Sequence, residues 1–137
     1  MGFVGQKPPG LITEWDYNMG GWADYDLDGD LDCVVSQLSN PNLYLFRNDG
    51  DHFTNVATEA GLDSVILADE WRIIFTDIDL DGDPDLIGKS HIFLNDAGYF
   101  TDATVELGFA DLDIAWYKRP FDYDNDGDLD FFKATGR

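Results

Sequence analysis

The chain is poor in positive charge: only 8 of its 137 residues are Lys or Arg, against 28 Asp or Glu, for a formal net charge of -20. A phosphate-binding surface needs clustered cations, so this balance argues against nucleic acid as a partner. Cysteine is nearly absent as well. Cys33 stands alone, which rules out an internal disulfide, and its place at the head of "CVV" reads as a small apolar strand residue. Long apolar runs are missing. Stretches such as "VILA" (65–68) fall far short of the roughly 20 residues that span a bilayer, so no membrane insertion is expected. The opening "MGFVGQKPPG" holds no apolar signal region. There is no Gly-x-Ser-x-Gly, no His-Glu-x-x-His and no phosphate-cradling glycine loop, and the chain is not read as an enzyme.

What is present is a core and a patterned acidity. Hydrophobic residues make up 44% of the chain and aromatics 15%, enough for one folded domain over residues 1–137 rather than a disordered acidic tail. The acids are concentrated in three stretches: "DYDLDGDLD" (Asp24 to Asp32), "DIDLDGDPD" (Asp77 to Asp85) and "DYDNDGDLD" (Asp122 to Asp130). Together these hold 15 of the 28 acidic residues.

The stretches belong to longer repeats. "FRNDGDHFTNVATEAGL" (46–62) aligns without a gap with "FLNDAGYFTDATVELGF" (93–109), sharing Asn48/Asn95, Phe53/Phe100 and Gly61/Gly108. Repeat 1 spans about 11–61, repeat 2 about 62–108, and a truncated repeat 3 about 109–137. Each begins with a short apolar stretch ("GGWA", "IIFT", "RPF"), passes through the acidic loop and enters a strand ("LDCVVS", "PDLIG", "LDFFKA"). In the first two, "LYLFRN" or "HIFLN" follows, then "FTNVA" or "FTDAT". No helix-length periodicity interrupts them. The expected fold is all-β: about two and a half four-stranded β-propeller blades with hairpin loops that bind a cation. Such a chain is a piece of a longer protein, an open stack, or a partial ring that a homo-oligomer completes.

In D-x-D-x-D-G-x-x-D the acids at positions 1, 3 and 5 converge on one concavity while the glycine at 6 turns the chain. A donor set made only of oxygen suits a hard cation; Ca2+ accepts about 6 to 8 oxygens in flexible geometry. Zinc and copper are poorly matched, since no loop holds His or Cys. The expected side-chain ligands are Asp24, Asp26, Asp28 and Asp32, with the carbonyl of Asp30. Their equivalents are Asp77, Asp79, Asp81 and Asp85 with Asp83, then Asp122, Asp124, Asp126 and Asp130 with Asp128, making three calcium sites. An EF-hand would need a bidentate Glu at position 12, where this chain has Val35, Gly88 and Lys133.

The acidic turn followed by "NDG" and "FT" resembles the FG-GAP or VCBS repeats of integrin alpha-chain propellers and of bacterial secreted proteins of the ASPIC/UnbV type. The likeness runs from about Gly10 to Arg137, although the literal Phe-Gly and Gly-Ala-Pro signatures are missing. It implies propeller blades, structural calcium, an extracellular or cell-surface location, and recognition of a protein or carbohydrate ligand, as in adhesion, on the face opposite the calcium loops. That face would use loops at 37–42, 62–71 and 109–116, with Trp71, Arg72 and "WYKR" (116–119) as candidate contacts. Two alternatives stand beside it: a purely structural repeat segment of a larger secreted protein, and an accessory domain of a carbohydrate-active enzyme.

Overall fold

A computed structural model of the chain describes residues 20–36, 43–62, 73–110, 117–127 and 129–134. These form ten strands in three antiparallel sheets. The first sheet has the order β1-β2-β3-β4, from Gly21–Ala23, Asp32–Ser36, Leu43–Asn48 and Phe53–Asn55. The second repeats it as β5-β6-β7-β8, from Ile74–Thr76, Asp85–Ile87, Ile92–Asp96 and Tyr99–Asp102. The third pairs β9 (Tyr117–Phe121) with β10 (Asp130–Ala134). The fold is thus all-β, with two whole four-stranded blades and the first hairpin of a third.

Side chains alternate faces along a strand, and the middle blade uses both of its faces. Phe75, Leu86 and Phe93 are cross-strand partners in one row and belong to the core shared with the first blade. Ile74, Ile87 and Ile92 form the adjacent row and face the other way, against Phe109 and Phe131. This explains why β6, Asp-Leu-Ile, is buried at every residue. A central strand of a stacked sheet has no solvent side, so it is buried at successive residues rather than at alternate ones.

The first core gathers Val34, Leu43 and Leu45 from the first blade with Ile73, Leu86, Phe93 and Phe100 from the second. The backbones come close where β1 meets β5. A Cβ on Gly21 would stand 3.2 Å from Phe75 Cδ2 and 3.3 Å from the Phe75 amide nitrogen, so a larger residue there would push the blades apart.

The expected strand "FTNVA" ends early. After Asn55 the chain makes a single helical turn, with Ala60 N–H donating to Val56 O (2.9 Å). It closes with Leu62 N–H to Ala57 O (2.8 Å) and Gly61 N–H to Thr58 O (3.2 Å). That pair of bonds, with Gly61 at φ 83°, is a Schellman ending. The second blade repeats it at Leu107, Gly108 and Phe109, whose amides donate to Ala103, Val105 and Thr104. Each turn delivers an apolar residue, Leu62 or Phe109, into an inter-blade core.

Candidate metal centres

Each acidic stretch is the hairpin loop between the first two strands of a blade: β1 to β2, β5 to β6, and β9 to β10. Three donor positions converge in every loop. One carboxylate oxygen from each of Asp24, Asp26 and Asp32 lies within 4.8 Å of the others; so do oxygens of Asp77, Asp79 and Asp85, and of Asp122, Asp124 and Asp130. These are positions 1, 3 and 9.

The backbone of the loop explains the convergence. Position 1 caps the turn: Asp24 Oδ2 accepts from the Gly29 amide (3.0 Å), Asp77 Oδ2 from Gly82 (3.1 Å), and Asp122 Oδ2 from Gly127 (3.2 Å). The glycine at position 6 is left-handed in all three loops, with φ of 99°, 103° and 96°. Nothing lies within 4 Å of where its Cβ would stand, so the requirement is conformational rather than steric. Position 4 is left-handed as well, at Leu27 (φ 57°), Leu80 (φ 62°) and Asn125 (φ 61°), which the sequence pattern did not announce.

Position 9 is the first residue of the second strand and is buried by the sheet. Asp32 and Asp85 are both fully inaccessible. Asp32 accepts from the Tyr25 amide (3.1 Å) and the Asn48 amide (2.8 Å); Asp85 accepts from Ile78 (2.6 Å) and Asn95 (2.8 Å). Burial pushes both carboxyls up to about 6, against the pull of those backbone hydrogen bonds, and neighbouring loop acids add to the rise. Asp26 and Asp79 are raised for the same first cause, followed by the charge of the position-5 acid beside each. In the third loop, Asp130 accepts from the Tyr123 amide (2.8 Å) and is exposed. Among the described residues no third strand covers it.

The remaining expected ligands lie around these triads. Oδ1 of Asp28 and of Asp81 accepts from the position-7 amides of Asp30 and Asp83, each at 2.9 Å. Asp126 belongs to the same loop position in the third copy, and its amide donates to Asp122 Oδ1 at 3.2 Å. The Asp30 side chain is exposed, and Asp83 Oδ2 accepts from the Ala97 amide at 2.8 Å. Asp128 lies outside the described residues, as do Trp71, Arg72, Trp116 and nearly all of the loops at 37–42, 62–71 and 109–116.

The donor set fits a hard cation on an independent ground. Asp24 Oδ1 and Asp26 Oδ1 are buried without a hydrogen-bond partner, an arrangement that is costly for a carboxylate oxygen unless something else neutralises it. With only oxygens facing inward, calcium is the natural match. Ser36 Oγ, in β2 and away from the loops, is likewise buried without a partner, whereas Arg47, His52 and His91 are engaged elsewhere. Arg47 pairs with Asp49 at 2.8 Å, His52 with Asp51 at 2.5 Å, and His91 stacks on Phe93. Cys33 is buried in β2, and that burial, reinforced by Asp32, pushes its thiol up to about 11, far from the reactive range.

Asn48 and Asn95 were visible in the sequence as repeat landmarks without a role. Both anchor the triads from the third strand of their blade, and their amide side chains hold the acidic loop: Asn48 Nδ2 donates to Leu31 O (3.3 Å) and Asn95 Nδ2 to Pro84 O (3.1 Å). Their signal was the "ND" pair that stands at the same place in the gap-free alignment of 46–62 with 93–109. No curated protein and no solved structure matches the chain. Among known families the match runs from the first ligand position of the first loop to Gly88, past the second loop: residues 24–88 match the model of the FG-GAP-like repeat.

Proposed function

We propose that the chain is a calcium-stabilised repeat module that displays a recognition surface for a protein or glycan outside the cell. The observation that carries the reading is the recurrence of one acid triad at the same loop positions of all three units, with buried carboxylate oxygens left unpartnered in the first. We assign the side chains at positions 1, 3, 5 and 9 and the carbonyl at position 7 as ligands. A bound ion supplies positive charge that cancels the mutual repulsion of the loop carboxylates. The chain does the rest: the glycine at position 6 folds the loop, the position-1 carboxylate caps it, and the second strand holds position 9 in place. The carboxylates thereby serve structure, not proton transfer. An extracellular setting suits loops of modest affinity, because calcium is millimolar there. Recognition is assigned to the face opposite the loops.

The alternative, a structural segment that serves neighbouring repeats, is favoured by one observation: the third sheet packs on the second blade through Phe131, as a repeat stacked on its neighbour does. Thermal melts and calorimetry test the common part of both readings. Saturating calcium at a hundredfold excess over Kd should add about 2.7 kcal/mol per site, with three ions bound and a rise in melting temperature of about 10 °C for each. Identical melts in calcium and in chelator would sink it. Glycan and peptide arrays probed in calcium, with Trp71→Ala and Trp116→Ala as controls, separate recognition from a structural role.

A further inference from the structure

The first and second acidic loops are joined by an unbroken line of hydrogen bonds that crosses between blades. It begins at Asp32, whose Oδ2 accepts from the Tyr25 amide at 3.1 Å. The carbonyl of Tyr25 accepts from Asn95 Nδ2 at 2.8 Å, although the two residues are 70 positions apart. The backbone amide of Asn95 then donates to Oδ1 of Asp85 at 2.8 Å. All four residues are buried, with at most 4% exposure. The backbone of one residue and one asparagine therefore separate the position-9 acids of two cation loops.

Both ends of this line are held. Asn95 Oδ1 accepts from the Gly98 amide (2.8 Å) and its Nδ2 also donates to Pro84 O (3.1 Å), so the side chain cannot turn without breaking its own hairpin. On the other side the Tyr25 ring stacks on Phe100 of the second blade, with centroids 5.9 Å apart and planes at 27°. A Cβ on Gly98 would stand 3.5 Å from Asp26 Cβ, so the first loop rests directly on the β7–β8 turn.

We propose that Asn95 couples the first two cation sites, so that calcium at either loop strengthens binding at the other; this rests on the calcium reading above. Tyr25 sits between positions 1 and 3, where the carboxylates repel one another until an ion is bound. Ordering that loop fixes the Tyr25 carbonyl where Asn95 needs a buried acceptor, and a fixed Asn95 holds Asp85 in place for the second ion. Ordering done by one ion is then not required of the other, which is positive cooperativity. Asn48 provides an internal comparison. It makes the equivalent bonds within its own blade, to Asp32 (2.8 Å), Leu31 (3.3 Å) and Gly50 (3.1 Å). Among the described residues, the cross-blade bond belongs to Asn95.

The test uses the full chain and calcium alone, with site occupancy read by NMR at the Gly29 and Gly82 amides. Asp77→Asn with Asp79→Asn disables the second site. The first-site affinity should fall about fivefold, the low end of ordinary coupling. In an Asn95→Ala background the same loss should change it less than twofold, while Asn48→Ala should leave the coupling intact. Asn95→Asp keeps the acceptor for Gly98 and removes the donor, and serves if the alanine variant does not fold. A first site indifferent to the second overturns the proposal even without an Asn95 variant, as does coupling that survives loss of the Asn95 donor. Three independent sites would leave the calcium reading standing and remove only the coupling; no binding at any loop would remove both.

Discussion

At the scale of single residues, the acidic loop is a compromise between ligand placement and backbone comfort. Position 4 must be left-handed for the acids on either side to converge, yet two loops place a leucine there. A side chain with a Cβ costs roughly 1 kcal/mol in that conformation, and Asn tolerates it better. Leu27 is 59% exposed, so little packing is lost by replacing it. Leu27→Asn, which copies Asn125 of the third loop, should raise stability by about 0.5–1 kcal/mol in denaturant melts; a loss of stability would show that Leu27 makes a contact that matters. The buried acids lead to a second expectation. In metal-stripped protein the folded-state pKa of Asp32 and of Asp85 is pushed up to about 6 from the model-compound value of 3.8. The fold then holds these protons more tightly than the unfolded chain, so their contribution is complete below the unfolded value and lost as pH rises through about 6. Calcium requires the ionised forms and has the opposite dependence. The gap in melting temperature between calcium-loaded and stripped protein should therefore be narrower at pH 5 than at pH 7. An equal gap at both would contradict the assignment of these acids to the ion.

At the scale of elements, strands were legible and the turns that end each blade were not. "LYLFRN" and "HIFLN" announce β3 and β7 through β-branched and aromatic residues bounded by turn chemistry. The helical turns after β4 and β8 span a single turn each, too short to produce any apolar periodicity, and only the repeated glycine marked them. The two copies differ in surroundings. A Cβ on Gly61 would stand 2.6 Å from Phe100 O and 2.9 Å from the Tyr99 ring, whereas nothing lies within 4 Å of one on Gly108. Both are left-handed, with φ of 83° and 74°. Gly108→Ala should cost about 1 kcal/mol, the conformational term alone. Gly61→Ala carries a collision with backbone in addition and should cost at least about 2 kcal/mol more. Equal losses in chemical denaturation would mean that β8 moves aside freely.

At the scale of the whole molecule, the blades stack face to face and each new interface is made by the residues that one blade turns toward the next. The third sheet, with two strands among the described residues, leaves the chain with a hairpin where the first two units have four strands. Light scattering in saturating calcium bears on the homo-oligomer expectation. Binding of three divalent ions takes the formal charge from -20 only to -14, so repulsion between copies persists. A discrete oligomer is the expected outcome if copies complete a ring; a monomer of 15.4 kDa would point to an open stack. By itself the sequence determined the repeat, the ten strands, the acidic loops and the kind of ion they suit. All of these depend on residues close together along the chain, whose chemistry and spacing are local. It could not show that Asp32 and Asp85 are fully buried or that Asn95 reaches the carbonyl of Tyr25. Those depend on which faces of separate sheets meet, and contacts between positions 70 apart are decided only when the blades pack.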